Sequence, residues 1–459
     1  MITLPQEKIP HILIRDARVL TMTDEPDLLP RADIGIRDGL VCFIRDKTCS
    51  SANDTKSGQQ ERADLVLPGE GYLVMPGLIN SHTHLPMVLL RGLADDLPLM
   101  DWLNHFIFPA EGRFMNGETV YAGSLLAMAE MILSGTTTFC DSYFFVDRIA
   151  QAAVDMGMRA VVCQGFIDFP APDIPNPRDK TEAAHRFLNR WQNRHPLINA
   201  ALFCHTPYTC STETLKDIKA VARQWQVPYL IHLAETRDEC RMIQTRHGKS
   251  PAFFLDTLGV LDDSTIAVHC NWLDDGEIDL LARQGTKVVH CPESNMKLAA
   301  GIAPVPELLK RGILVGLGTD GASSNNDLDL LREMGMAAKV GKVTRMDPTI
   351  LDAATVLKMA TIDGARLLGL DQRIGTVEVG KAADLILINL NQPHLTPLYN
   401  VRSHLVYAAS GSDVSSVIIN GKLVLHNRKF VHANLEDIMK TAAGIGEYIY
   451  GNIRHTQTR

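Results

Sequence analysis

Apolar and β-branched residues fall along the middle of the chain in short runs separated by amphipathic stretches. The runs are YLVMPGLINSHTH (72–84), TTTFCD (136–141), RAVVCQGF (159–166) and INAALFCHTP (198–207), followed by VPYLIHLAE (227–235), TIAVHC (265–270), KVVHCPES (287–294) and ILVGLGTD (313–320). Between them, stretches such as TVYAGSLLAMAEMILSG and STETLKDIKAVARQWQ carry helical periodicity, the second opening with Ser and Thr capping candidates and an early Glu. Eight βα units over roughly 300 residues predict an α/β fold, a (β/α)8 TIM-type barrel with insertions. A doubly wound sheet is the alternative, but it has no reason to stop at eight strands.

The two ends of the chain read differently. ILIRDARVLTM, ADIGIRDGLVCFI and ADLVLPGEGYLVM near the start, and GTVEVGKAADLILINL and VSSVIINGKLVLHNRKFV near the finish, are short strand-and-turn patterns. The polar stretch DKTCSSANDTKSGQQERAD between the early strands reads as a loop. Two β-rich blocks flanking a long middle predict one small β-sandwich assembled from both termini. The expected division is residues 1–74 and 373–432 for the sandwich, 75–372 for the barrel and 433–459 for a helical tail.

Composition narrows the partners. With 459 residues, 46% hydrophobic and 21% charged, the chain is ordinary globular protein. A net charge of -8 and no basic block exclude a nucleic-acid polymer as the expected partner and suit a small neutral or cationic ligand. Nine cysteines, odd in number and without CxxC pairs, read as reduced thiols, with Cys140, Cys163, Cys204 and Cys270 in apolar contexts. The first twenty residues lack the features of a signal peptide, and no apolar run reaches membrane-spanning length. A soluble cytoplasmic protein is expected, for which the glycosylation-like Asn53-Asp54-Thr55 carries no meaning. Nothing in the sequence marks an oligomer interface, so a homo-oligomer is left open.

In a barrel, functional groups gather at the C-terminal ends of the strands, and here most runs end in His or an acid. His82 and His84 lie two apart at the end of the first run and so share a face. His205 ends the fourth run, His232 and Glu235 the fifth, His269 the sixth and Asp320 the eighth. A lone strand histidine is more often a hydrogen-bonded core group; several at one predicted mouth point to a metal. Three imidazoles and a carboxylate suit Zn2+ with an open position for water, with His82, His84, His232 and Asp320 as the expected ligands. Zn2+ lowers the pKa of bound water from roughly 16 to about 7. Glu235, just past a strand end, is placed to carry the proton to substrate, and His269 to hydrogen-bond the nucleophile or developing oxyanion. GLGTDG (316–321) satisfies a dinucleotide-binding pattern but lacks the βαβ unit and later acid that pattern requires. Cys291 in HCPES has no dedicated base and reads as a packing residue.

These segments resemble the amidohydrolase superfamily and, within it, the 5'-methylthioadenosine/S-adenosylhomocysteine deaminases. The resemblance rests on PGLINSHTHLPMVLLRG, LPLMDWLNHFIFPAE, SGTTTFCD, CHTPYTCS, IHLAET, VHCNWL, HCPESNMKLAAGIAPVPELL, VGLGTDGASSNNDLDL and KAADLILINL, in the family's order over nearly the whole chain. It implies a distorted barrel with a flanking β-sandwich and one Zn2+ per subunit, Fe2+ being the alternative metal. The implied reaction is hydrolytic deamination of an adenosine derivative such as 5'-methylthioadenosine, S-adenosylhomocysteine or adenosine. It further implies that Glu111 holds the ribose hydroxyls, that His205 contacts the nucleoside and that Trp102 lines the pocket. Glu235 and Asp320 would also touch substrate, the first protonating ring N1 and the second passing a proton to the departing ammonia. Several relatives carry Arg where this chain has Gln164; with Arg178 as an uncertain substitute, the departure favours methylthioadenosine over S-adenosylhomocysteine. Other expectations from the same superfamily are an s-triazine chlorohydrolase or a guanine or cytosine deaminase. A catalytically silent scaffold is the remote alternative, disfavoured because no ligand is missing.

Overall fold

A computed structural model describes residues 9–25, 27–48 and 63–457. Most of the polar loop expected over 46–64, including Asn53, lies outside the described residues. The early strands are β1 (Ile12–Leu20), β2 (Leu28–Arg37), β3 (Leu40–Asp46), β4 (Leu65–Pro68) and β5 (Tyr72–Pro76). Each of the eight middle runs becomes a strand: β6 (Leu78–Thr83), β7 (Thr136–Tyr143), β8 (Arg159–Phe166), β9 (Ile198–Cys204), β10 (Tyr229–Leu233), β11 (Thr265–His269), β12 (Lys287–His290) and β13 (Val315–Leu317). The chain ends in β14 (Leu385–Asn389), β15 (Val414–Ile419), β16 (Lys422–His426), β17 (Lys429–Phe430) and a helix at Leu435–Gln457.

Strands β6 to β13 form a parallel sheet in sequential order. A parallel bridge between Thr83 and Asp320 brings the last strand to the first. Asp320 N donates to His82 O at 3.0 Å. Beside it, the Asn80 side chain spans the seam: its Nδ2 donates to Thr319 Oγ1 at 2.7 Å and its Oδ1 accepts from Thr319 N at 3.1 Å. Gly318 is needed at this closure, because a Cβ there would stand 2.8 Å from His82 O. That close approach gives Gly318 of GLGTDG a packing role at the seam.

The helices follow their caps. Ser211 accepts from Thr214 N to start Thr212–Trp225, and Asn116 forms a capping box with Thr119 ahead of Gly117–Leu133. Helical residues from Leu99 to Phe114 border the mouth and are interrupted by a π turn at Leu103–Ile107, an irregularity frequent at functional sites.

The terminal strands form one continuous nine-stranded sheet, ordered β17-β16-β15-β14-β5-β1-β2-β3, with β4 also pairing β1. β1 is the fork: its first half pairs β4 and its second half β5, with a register shift around Asp16, whose φ is +58°. The sheet encloses a core of its own, including Ile14, Ile34, Leu67, Val74, Leu385 and Ile418. It is clamped to the barrel floor by Arg159, whose Nε and Nη2 donate to Asp384 Oδ2 and Oδ1 at 2.6 and 3.0 Å. The C-terminal helix reaches the mouth-side helix through the Phe114–Tyr448 ring contact and a hydrogen bond from Arg113 to Asn452 Oδ1. Among the described residues, no helix is long and apolar enough to cross a membrane.

Candidate active site

Barrel closure brings His82 and His84 of the first strand's end against Asp320, just beyond the last. His82 Nε2 lies 3.1 Å from His232 Nε2 and 3.6 Å from Asp320 Oδ1, and His84 Nε2 lies 3.2 Å from Asp320 Oδ1. A tetrahedral ion with bonds of about 2.0–2.1 Å has edges of roughly 3.3–3.4 Å between its ligand atoms, and these separations scatter around that length. A wider foursome, in which His269 replaces His84, has its donor atoms within 4.8 Å of one another. His82, His232 and Asp320 are common to both sets; His84 adds one short edge, 3.2 Å to Asp320 Oδ1, and His269 the wider alternative.

The proton inventory argues the same way. His84 Nδ1 donates to the Ser142 carbonyl at 2.5 Å. In its neutral form the ring therefore turns a lone pair toward the Asp320 carboxylate, an arrangement made favourable only by a cation or an added proton. Burial opposes charge on His84, but Asp320 and then Asp141 outweigh it and raise its pKa to about 9. Burial lowers His82 to about 4 and holds His232 well below its ordinary value, leaving the neutral imidazoles that metal ligation requires. Burial also opposes ionisation of Asp320, yet hydrogen bonds with His82 and His84 hold it well below the usual carboxylate range. Its other oxygen, Oδ2, accepts from Ser294 Oγ at 2.7 Å and Ser324 Oγ at 3.0 Å. Those hydroxyls leave Oδ1 as the oxygen facing the imidazoles.

Glu235 and His269 stand beside this cluster, His269 Nε2 being 4.0 Å from Glu235 Oε2. Burial pushes the Glu235 carboxyl up, as a proton carrier requires. Its backbone is fixed by Glu239, whose carboxylate accepts from Ala234 N and Glu235 N at 2.9 and 2.8 Å. Ala234, His269 and Asp320 all have positive φ, at +50°, +72° and +60°. Strained backbone of this kind persists where surrounding contacts over-determine it and clusters at functional sites.

His84, His232, Glu235, His269 and Asp320 line a single pocket at the barrel mouth that is open to solvent. Trp102, Glu111 and His205 all line it. Glu111 accepts from Tyr143 Oη at 2.6 Å, and burial pushes its carboxyl up to about 7. His205 is held at about 3 by burial and lies 2.9 Å from Thr209 Oγ1. Among the described residues, those lining it include no Lys or Arg. Gln164 is turned away from it, donating to Asp173 Oδ2 at 3.1 Å, and Arg178 is exposed. Cys291 is buried and its thiol pushed well up by that burial, the opposite of an activated nucleophile.

Sequence reasoning missed Tyr143, Ser294, Ser324 and Glu239. β7 runs two residues past the apolar run TTTFCD, and those residues include Tyr143. The serines lie in HCPES and GASSNN, where only proximity in the fold marks them out.

A parallel barrel with buried imidazole and carboxylate donors meeting at one mouth defines a class, the metal-dependent hydrolases. The chain belongs to the amidohydrolase family, whose sequence profile matches residues 73–424. It is 45% identical over 419 residues to a 5-methylthioadenosine/S-adenosylhomocysteine deaminase of Syntrophus aciditrophicus, covering 91% of this chain and 94% of that one. It is 44% identical to a 5'-deoxyadenosine deaminase of Methanothermobacter thermautotrophicus, covering 91% and 96%. The crystal structure of an adenosine deaminase from Xanthomonas campestris with bound zinc superposes with a TM-score of 0.91 at 37% identity, covering 95% of this chain and 98% of that one.

Proposed function

We propose that the protein is a zinc-dependent hydrolytic deaminase that converts 5'-methylthioadenosine, or an adenosine with a similarly small neutral 5' group, to the inosine derivative and ammonia. The observation that carries this reading is the convergence of His82, His84, His232 and Asp320 with Glu235 and His269 at one mouth, all but the fully buried His82 lining a single cavity. The relatives named as deaminases of methylthioadenosine and 5'-deoxyadenosine support the substrate class.

In this reading His82, His84, His232 and Asp320 hold Zn2+, which when bound supplies Lewis acidity and lowers the pKa of a water to about 7. His269 orients the attacking water; Glu235 takes one of its protons and delivers it to ring N1, making C6 electrophilic. Asp320 accepts the water's second proton as the new C6–O bond becomes a carbonyl and passes it to the amine, which leaves as ammonia when the C6–N bond breaks. Glu111 binds the ribose hydroxyls, while His205 and Trp102 bound the nucleoside. Among the described residues the lining offers no Lys or Arg to the carboxylate of S-adenosylhomocysteine, which supports the smaller neutral 5' group. Residues 75–372 then form the catalytic barrel, supported by the β domain of 1–74 and 373–432. Buried thiols such as Cys204, Cys270 and Cys291 fit a cytoplasmic setting, and the partner is a small molecule.

The test is ammonia release from methylthioadenosine, followed with the ultraviolet shift from adenine to hypoxanthine nucleoside. We expect turnover, with kcat/KM at least about tenfold lower for S-adenosylhomocysteine, the scale of one lost charged contact. No turnover of any adenosine derivative would sink the assignment.

A further inference from the structure

Behind the two proton-handling residues lies a string of buried amides that the reaction scheme does not use. Asn271 Nδ2 donates to the Glu235 carbonyl at 3.0 Å. Asn295 Nδ2 donates to Asn271 Oδ1 at 2.8 Å, and Asn295 Oδ1 lies 2.9 Å from His269 Nδ1. All four residues are buried, Asn295 with 1% of its surface exposed.

The orientation of each amide follows from the first contact. A backbone carbonyl can only accept, so Asn271 must present its NH2 to Glu235 O and its oxygen to Asn295. That oxygen can only accept, so Asn295 must present its own NH2 there and its oxygen to His269. His269 Nδ1 then faces an acceptor and must carry hydrogen, which leaves the lone pair of the neutral ring on Nε2. Nε2 is the atom on the Glu235 side, 4.0 Å from its carboxylate. The positive φ of His269 and of Cys270, +72° and +55°, is held within the same network.

We infer that Asn271 and Asn295 are positioning residues that lock His269 in the Nδ1–H tautomer, so that its Nε2 meets the attacking water as a hydrogen-bond acceptor. The inference rests on the proposed deaminase reading for its catalytic meaning, but the tautomer itself does not. Under it, the neutral His269 ring takes a hydrogen bond from the water and cannot donate one to a developing oxyanion. Outer partners that fix a histidine's ring and tautomer in this way are worth about 10- to 100-fold in activity or metal affinity.

The deciding experiment is neutron diffraction on the zinc-loaded, deuterium-exchanged protein without substrate. Deuterium on His269 Nδ1 alone is expected; deuterium on Nε2, alone or together with Nδ1, overturns the inference. The kinetic companion compares Asn295→Leu, which removes the acceptor, with Asn295→Asp, which in its protonated form keeps a carbonyl oxygen facing Nδ1 and an O–H donor for Asn271 Oδ1. N295L is expected to lose about 10²-fold in kcat with KM and zinc content unchanged, and N295D to recover about tenfold of that loss. Equal activity in the two variants overturns the positioning role. Because the deuterium position is read without turnover, absence of deamination would sink the proposed function while leaving the tautomer lock intact.

Discussion

The barrel buries charge at both ends, and the two ends treat it in opposite ways. At the floor, Arg159 and Asp384 satisfy one another with two hydrogen bonds, and the spare donors and acceptors are used by Pro196 O, the Asn420 side chain and Asn420 N. At the mouth, His84 turns a lone pair toward a carboxylate, and His82 and His232 meet nitrogen to nitrogen. The floor is complete with protein groups alone. The mouth needs a cation or an added proton to complete it, so the floor cluster fastens the terminal sheet to the barrel while the mouth cluster is left open to take up positive charge.

The sharpest way to break that contrast is to remove the metal. Chelation of the purified enzyme is expected to reduce ammonia release to background and Zn2+ to restore it, with metal analysis giving one ion per chain. Recovery of no tightly bound ion would put the mouth in the same category as the floor. Glu235→Gln comes next: kcat should fall by about 10³-fold or more with zinc retained, on the scale of a lost general acid–base group. Full activity in E235Q would remove its proton-carrying role.

At the floor the effect should appear in stability and not in chemistry. Arg159→Met leaves Asp384 buried and unpaired and should cost about 3–5 kcal/mol, read from denaturant melts, while kcat of the folded protein stays unchanged. A loss of kcat without a loss of stability would mean that the floor clamp also shapes the mouth. The smallest effect concerns Glu111, whose folded pKa of about 7 lies above its ordinary 4.5 because burial disfavours the charge. The sign follows: above pH 4.5 its burial increasingly costs stability, while its ability to accept from ribose hydroxyls grows as pH rises through about 7. KM for the nucleoside should therefore fall severalfold across that range, and Glu111→Gln should flatten the profile.

The contrast also explains what could be read from the sequence. Parallel strands covered on both faces must be apolar along their length, so the eight runs appear plainly, and the polar residues that end them stand out. His82, His84, His232 and Asp320 were legible for that reason. The supporting contacts were not: Ser294 to Asp320 and Tyr143 to Glu111 join distant segments, and Glu239 to the backbone of its own turn depends on a local geometry that no pattern of residue types marks. Side-chain direction was equally hidden. Gln164 sits at the expected strand end, yet it points toward Asp173 and away from the cavity. The fork at β1, which merges the terminal strands into one sheet, depends on a register shift that alternation alone does not announce.

The seam between β6 and β13 has a consequence for how the enzyme is made. Its two sides, pinned by Asn80 and Thr319, are 239 residues apart in sequence, and the candidate ligands His82, His84 and Asp320 straddle it. A nascent chain can present the His-x-His pair early, but the full donor set exists only after the last strand has joined the first. An ion held by this set would therefore be linked to ring closure, each stabilising the other.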